Sequence, residues 1–371
     1  MDVSFVTDAL MADVPSAELA APDYGHPSED LYVIGVTGTN GKTTVSYLIG
    51  EVLKAAGHNP FVLGTYNSGN RELSTPEKTD TIRFMTEHLG NGGTHFVMEV
   101  TSEGIDQKRI HGIDFDIKIL TNITQDHLDY HKTYEHYKKT KMGFMRQGLS
   151  HKIYPQGFRD EDLDFEPQLL GDFNFLNIQA AVSALRHIGI DETFIRDTLS
   201  SCIAPKGRME RVEAGQPFMV LVDYAHTPDG LENVLRTAKD IAEARGGSLS
   251  VVFGCGGNRD RTKRAQMGKI AGEMADLTVI TDDNPRDEDS QTIMDEIFSG
   301  VTTSDRTCVL INDRRTAIAH AINIAGTNDV VILAGKGHET LQICKGEAVH
   351  FDDCEEATSA IAVRLKTQAI N

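Results

Sequence analysis

Short apolar runs recur along the chain, and between them the apolar positions fall at three- and four-residue intervals. Leu31 to Val36 is such a run, and Val45, Leu48, Ile49, Val52 and Leu53 then mark one face of a helix that Gly57 ends. Pro60 to Gly64 predicts a second short strand, and the Ser74-Thr75-Pro76-Glu77 turn opens another helix near Thr79 with proline at an early position. Phe96 to Val100 and Ile117 to Ile123 read as further strands, the second running out into Thr124-Gln125-Asp126-His127. Strands alternating with helices imply a parallel sheet with its site at the carboxyl ends of the strands, where Glu99 and His127 are expected. Residues 151–170 show no regular pattern, and after Gly171 an amphipathic helix carries Ile178, Ala181, Val182 and Leu185.

A second alternating series begins after Pro205-Lys206-Gly207-Arg208, with apolar runs at Phe218 to Val222, Leu249 to Phe253, Leu277 to Ile280, Cys308 to Ile311 and Val330 to Leu333. Four of these runs end in polar clusters, Asp223-Tyr224-Ala225-His226, Gly254-Cys255-Gly256-Gly257, Asp283-Asn284-Pro285-Arg286 and Gly335-Lys336-Gly337-His338-Glu339. Polar clusters at successive strand exits point to a binding face and not to loop decoration. The first 30 residues hold seven acidic residues, no Lys or Arg, and three prolines, which predicts a tail or one short helix. The expected organisation is α/β throughout: residues 1–30 as that acidic tail, 31–205 as one domain and 206–371 as a second, Rossmann-like one.

Composition narrows the function classes. A formal net charge of −19 argues against nucleic acid or an anionic membrane as partner, so anionic small molecules must meet focused basic patches. Five cysteines form no C-x-x-C pair and no zinc spacing, and the odd number argues against a disulfide framework. With no basic leader before an apolar core and no apolar run approaching membrane length, a cytoplasmic protein is expected.

The glycine-rich turn Gly38-Thr39-Asn40-Gly41-Lys42-Thr43-Thr44, between a strand and a helix, reads as a phosphate cradle. Backbone N–H groups would face nucleotide phosphates, Lys42 would reach the terminal phosphates, and the Thr43 hydroxyl would bind Mg²⁺. The spacing departs from the usual G-x-x-x-x-G-K-[ST], because Val36 stands where its first glycine belongs.

These motifs, with Met98-Glu99-Val100-Thr101-Ser102, Asp126-His127-Leu128-Asp129-Tyr130-His131, Gly207-Arg208-Met209-Glu210 and Asn258-Arg259-Asp260-Arg261, follow one another in an order that resembles the Mur ligases, closest to their MurE branch, the UDP-N-acetylmuramoyl-tripeptide synthetases. The resemblance runs from about Leu31 to Glu355 and implies a central P-loop ATPase-like domain plus a C-terminal Rossmann-like domain. It also implies an ATP-dependent ligase that transfers the γ-phosphoryl of ATP to a carboxylate, forming an acyl phosphate that an amine attacks. The resemblance assigns catalysis to Lys42, Glu99, His127 and Lys141, with a second Mg²⁺ held between Glu99, His127 and a carbamylated Lys141. It assigns the nucleotide to Thr39, Asn40, Gly41, Lys42, Thr43 and Thr44, with Asn174 and Asn177 near the adenine, Arg208 at the phosphates and Asp223 at the ribose.

The incoming amino acid is expected against Asp283, Asn284, Arg286, Gly335 and Glu339, with Arg259 nearby. An arginine in Asp-Asn-Pro-Arg resembles the diaminopimelate-selecting type, since a guanidinium grips a distal carboxylate that L-lysine lacks. Ser74, Thr75, Thr101, Gln107 and Arg109 stand where the family meets its muramoyl peptide, although Ser74 and Thr101 depart from the usual residues and Glu103 replaces a usual histidine. The expected substrates are therefore a muramoyl dipeptide and an amino acid, with meso-diaminopimelate favoured.

The family's separate N-terminal domain, which grips uridine diphosphate, has no counterpart in the 30 residues before the first strand, and a partner supplying it is one expectation. Two alternatives stay open: a uridine-free acceptor, as in folylpolyglutamate- or polyglutamate-type ligases, and a non-catalytic nucleotide-binding protein that regulates another ligase.

Overall fold

The run that begins at Tyr32 becomes strand β1 (Tyr32–Thr37), buried from its second residue to its last, as a central parallel strand is when both of its faces are covered. The computed structural model describes residues 25–65, 73–158, 163–302 and 307–370. Of the expected N-terminal tail, residues 1–24 lie outside the described residues, and the described part holds one turn of 3₁₀ helix at Pro27–Glu29.

The chain folds into two compact units. The first comprises the described residues up to Asn122, with Lys138–Phe165 and Asn177–Leu199; the second comprises Ile123–Tyr137, Glu166–Leu176 and the chain from Ser200 onward. Residues 123–137, 166–176 and 200–205, expected in the first domain, thus belong to the second unit.

In the first unit β1 is joined by β2 (Pro60–Leu63), β3 (His95–Glu99), β4 (Ile117–Leu120) and β5 (His151–Ile153) in a parallel sheet of order β2-β3-β1-β4-β5. The helix Lys42–Ala55 covers it with Val45, Leu48, Ile49, Val52 and Leu53, all fully buried. β1 lies between β3 and β4, so the chain reverses direction across the sheet there, and the crevice at the strand ends opens beside it. Val36 pairs with Glu99 in the β1–β3 register, which sets the glycine-rich turn beside the Glu99 carboxylate. The stretch read as irregular contains β5 and a short helix at Pro155–Phe158. His-Lys-Ile is too short and too polar to show a strand period.

The second unit carries β6 (Glu210–Arg211), β7 (Met219–Asp223), β8 (Leu249–Phe253), β9 (Leu277–Ile280), β10 (Thr307–Leu310) and β11 (Val330–Ala334), in the order β10-β9-β8-β11-β7-β6, with only β6 antiparallel. Successive strand residues serve opposite faces. Leu221, Val251, Phe253, Ile280 and Ile332 enter one core, while Val220, Val222, Val252, Val279, Val331 and Leu333 enter the other. Burial on both faces explains why these strands read as continuous apolar runs. A hairpin, β12 (Leu341–Cys344) and β13 (Glu347–His350), follows. It turns through Lys345 and Gly346 at φ 49° and 79°, the positive pair that a two-residue type I′ turn requires.

A charged pair lies inside this unit. Arg314 and Asp353, both with fully buried side chains, form two hydrogen bonds at 2.8 and 2.6 Å, and Arg314 also donates to the carbonyls of Ala334 and Asp282 at 3.0 and 3.3 Å. Removing one partner strands the other charge in the core. Arg314→Ala is expected to destabilise the unit by about 3–5 kcal/mol, read as a lower urea midpoint at unchanged m-value.

Candidate functional site

Two glycines shape the turn after β1. Gly38 has φ 150°, and a Cβ there would lie 1.8 Å from Thr121 Oγ1; Gly41, at φ 88°, would place one 2.2 Å from Asn177 Oδ1. The Thr121-Asn122 pair at the exit of β4 holds the loop in place. Thr39 N–H donates to Asn122 O at 3.0 Å, Asn40 N–H to Asn122 Oδ1 at 2.9 Å, and Thr121 Oγ1 to Asn40 O at 2.6 Å. Lys42 Nζ folds back onto the carbonyls of Gly38 and Thr39, both at 2.9 Å. Lys141, 1% exposed, reaches the same Gly38 carbonyl at 2.9 Å from the helix Tyr134–Arg146. Two ammonium groups therefore converge on the loop, an electrostatic setting for an anion.

Glu99 is buried at the end of β3, and its carboxylate accepts from Thr43 Oγ1 at 3.0 Å, Thr65 N–H at 2.8 Å and Thr65 Oγ1 at 3.2 Å. Gly64 makes room for it, since a Cβ there would lie 2.3 Å from Glu99 Oε1. Thr44 is buried in the helix's first turn. The residues expected to meet a peptide gather around the same strand end. Ser74 Oγ lies 2.6 Å from Thr65 Oγ1, Thr75 Oγ1 donates to Glu99 O at 2.9 Å and accepts from Thr101 N–H at 2.9 Å, and Arg109 donates to Thr75 O at 3.0 Å. Arg109 also bonds Gln107 Oε1 and lies 3.1 Å from a Glu77 carboxylate oxygen. Ser102 Oγ donates to the substituted Glu103 at 3.1 Å.

His127 falls in the second unit, whereas Glu99 and Lys141 fall in the first. His127, at φ 55°, sits 3.3 Å from the buried Asp126 carboxylate, with His226 and Lys263 at 3.9 and 4.0 Å from the same group. Burial alone would raise the Asp126 pKa, but the charges of His127, Lys263 and His226 outweigh it and hold the carboxyl below its usual range. Burial and the Lys263 charge lower His226 to about 4.

Near the exit of β7, Arg208 lies over the Tyr224 ring at 4.5 Å, and His338 packs against the same ring at 5.0 Å. Burial, then the Arg208 charge, lowers His338 to about 3. Asp223 is buried, and its two oxygens accept from the N–H groups of Met209 and Ala225 at 2.8 and 2.7 Å. Burial raises its pKa, against the pull of Arg208 and those two bonds. Asn174 donates to Leu170 O at 2.7 Å, and Asn177, one turn on in the helix Asp172–Ile188, belongs with Gly41 in the first unit.

The exits of β9 and β11 bring together Asp283, Asn284, Arg286, Gly335 and Glu339. Asn284 is a buried hub that donates to Glu339 Oε2 at 2.8 Å and accepts from Ile343 N–H at 2.9 Å and Lys336 Nζ at 3.3 Å. Gly335, at φ 110°, would place a Cβ 2.5 Å from Asp283 Oδ2. Burial and the Asp283 charge raise the Glu339 pKa, opposed by Lys336 at 3.2 Å. Arg286 donates through Nη1 to the carbonyls of Gly257 and Asn284 at 2.9 and 3.4 Å, and the exposed Arg259 donates to Asn258 O at 3.1 Å. Among the described residues neither arginine forms an ion pair. Burial, then the neighbouring Arg259 charge, lowers the Arg286 pKa.

Sequence reasoning quoted Lys336 only as part of the cluster after β11 and missed Arg264 and Arg314; all three are fully buried. Arg264 pairs with Glu288 and Glu296 and reaches Gly256 O at 3.2 Å, so it braces the turn beneath Arg286. Helical arginines read as solvent-facing, and nothing in their spacing marks them otherwise.

Residues 36–155 match the Mur ligase middle domain, and residues 207–337 match the Mur ligase glutamate ligase domain. The chain is 36% identical to the UDP-N-acetylmuramoyl-L-alanyl-D-glutamate–2,6-diaminopimelate ligase of Syntrophomonas wolfei, across 94% of this chain and 82% of that one. It is 37% identical to the Bacillus cereus protein of the same name, across 95% and 82%. A solved structure of a ligase of that name aligns with a TM-score of 0.56 at 32% identity, covering 91% of this chain and 79% of that one. The fold is shared with E. coli FolC in complex with DHPP and ADP, at 18% identity and a TM-score of 0.64 over 96% and 93% of the two chains. These matches give no support to a partner that supplies a uridine-binding domain.

The two ties at the loop make a graded expectation. Gly57→Ala, at φ 86° in open space, is expected to lower stability by about 1–2 kcal/mol, the backbone cost alone. Gly38→Ala must also displace Thr121 from Asn40, so calorimetry should show a clearly larger fall in Tm than for Gly57→Ala.

Proposed function

The chain belongs to the Mur ligase family, and we propose that it is an ATP-dependent ligase joining meso-diaminopimelate to the glutamyl carboxylate of UDP-N-acetylmuramoyl-L-alanyl-D-glutamate. The observation that carries the choice of amino acid is the pair Arg259 and Arg286, free of ion pairs among the described residues, beside Asp283 and Glu339. A terminus bearing both a carboxylate and an ammonium complements such a set, because each charge meets its opposite. L-lysine would leave the guanidinium without an anion.

The chemistry divides between the two domains, taken as residues 31–205 and 206–371. The acceptor carboxylate attacks the γ-phosphorus of ATP, and ADP leaves. The amine of the incoming amino acid then attacks the acyl phosphate carbon, loses a proton and expels inorganic phosphate. Charge neutralisation is the main demand of the first step. Lys42 is assigned to the β and γ phosphates, which would replace the Gly38 and Thr39 carbonyls as its partners. Arg208 is assigned to the phosphates, Asp223 to the ribose, and Asn174 and Asn177 to the adenine. Ser74, Thr75, Thr101, Gln107 and Arg109 are assigned to the peptide.

Thr43 Oγ1 and Glu99 Oε1, 3.0 Å apart at the first turn of the helix, are hard oxygen donors that fit Mg²⁺, which would supply charge neutralisation at the phosphates. A second Mg²⁺ is assigned to Glu99, His127 and a carbamylated Lys141. Carbamylation suits Lys141 because the modified nitrogen keeps one N–H, enough for its bond to the Gly38 carbonyl.

Phosphate release with ATP and Mg²⁺ tests the reading. It is expected to require meso-diaminopimelate, to fail with L-lysine, and to favour the uridine-bearing acceptor over its uridine-free form. Equal rates with the two acceptors would instead support the uridine-free reading. Lys42→Ala should abolish release, while Arg286→Ala should raise the KM for diaminopimelate by about ten- to a hundredfold and leave ATP binding intact. Equal loss of both in the Arg286 variant would defeat the assignment. Carbon-13 bicarbonate should give a carbamate resonance that Lys141→Ala lacks.

A further inference from the structure

The hairpin β12–β13 has no place in the core. All four residues of β13 are exposed, as are Leu341 and Cys344, so apolar burial does not explain why it is there. Its hydrogen bonds run instead to Asp283-Asn284-Pro285-Arg286. Gln342 Nε2 donates to Asp283 O at 2.9 Å, Ile343 N–H to Asn284 Oδ1 at 2.9 Å, Arg286 N–H to Ile343 O at 3.0 Å, and Lys345 N–H to Arg286 O at 2.6 Å. Lys336 Nζ joins the hairpin to Glu339 by donating to Leu341 O at 2.7 Å and to Glu339 at 3.2 Å.

Arg286 is held at φ 53°, a left-handed conformation that a long side chain adopts only when its surroundings over-determine it. The over-determining bonds are those two backbone ones, which form an isolated parallel bridge between Arg286 and Cys344. In an extended backbone the Cα–Cβ bond of Arg286 would leave in another direction, and its guanidinium would lose the Gly257 carbonyl. The aim of the guanidinium is therefore set from behind, by the hairpin.

We propose that the Leu341–His350 hairpin is a selectivity clamp that fixes Arg286 for the distal carboxylate of the incoming amino acid, with Gln342 as a positioning residue that ties the hairpin to the Asp283 carbonyl at the head of the same turn. The proposal rests on the assignment of this loop to diaminopimelate, and two variants separate it from that assignment. Gln342→Ala removes the side-chain tie, and Gly346→Ala strains the hairpin turn at φ 79° with no other atom within 4 Å of the new Cβ.

Steady-state kinetics and amide hydrogen exchange on the full chain read the outcome. Both variants are expected to raise the KM for diaminopimelate by about five- to tenfold, to leave the KM for ATP and kcat within about twofold of wild type, and to speed exchange at the Arg286 and Lys345 amides. An unchanged diaminopimelate KM in both, with a raised one in Arg286→Ala, would overturn the clamp and leave the amino-acid site standing. No effect in Arg286→Ala would remove the assignment beneath it. Parallel rises in both KM values would mean general loosening, which also overturns the clamp.

Discussion

A buried carboxylate needs partners for its lone pairs, and the first unit is arranged around the partners of Glu99. The β1–β3 register brings Val36 level with Glu99, so the turn that follows β1 places Thr43 against the carboxylate. Gly64 has no side chain because that carboxylate occupies its space, and Thr65 closes the arrangement with two donors. The Glu99 carbonyl accepts from the Thr75 hydroxyl, and Thr75 in turn accepts from Thr101 N–H and Arg109. The glycine-rich turn and the cluster assigned to the peptide are thus two ends of one hydrogen-bonded structure. A change at Glu99 propagates to both, and its loss would leave the Thr43 and Thr65 hydroxyls without that acceptor.

The second unit solves a different problem with buried cations. Lys336 and Arg314 each donate to backbone carbonyls near the exits of β9 and β11, and Arg264 does the same for the turn after β8. Carbonyls fixed by ammonium or guanidinium groups hold a loop more stiffly than neutral bonds do. The desolvation of these charges is offset by Asp353, Glu339, Glu288 and Glu296, which accept from them. The second unit also offers two arginines, Arg259 and Arg286, that form no ion pair among the described residues, although Asp283 and Glu339 lie close enough to favour the Arg286 charge.

Legibility in the sequence follows burial. Strands of the second unit lie between two cores, so their apolar runs were continuous and could be read within about a residue of their true ends, as at Leu249–Phe253 and Leu277–Ile280. The run read as Ile117 to Ile123 instead stops at Leu120, where the polar Thr121-Asn122 pair turns to the glycine-rich loop. The glycine-rich turn was legible because Lys42 and Thr43 directly follow Gly41, and the polar strand exits because they interrupt apolar runs. β5, β6 and the hairpin carried no apolar period. Arg264 and Arg314 lie on helices, where a charged residue gives no sign that tertiary packing has drawn it inward. The placement of Ile123–Tyr137 with the second unit was equally invisible, since it depends on long-range bonds such as Gln125 to Thr262, at 3.2 Å across 137 positions.

Left-handed non-glycine residues show where local preference was overruled. Met209, Asn258, Arg286 and Lys345 in the second unit all have φ near 50°, and each lies in or beside a polar motif or the hairpin that backs one. Such conformations persist only where surrounding bonds fix them: Met209 N–H is held by Asp223, Asn258 N–H by Glu288, and Arg286 by Ile343 and Lys345. Glycine would relieve the strain at each position but would surrender the side chain or the rigidity. The chain instead keeps an arginine at the turn assigned to the incoming amino acid and invests a whole hairpin in holding it. The strain at Arg286 is what the proposed assignment of this turn to the incoming amino acid would account for.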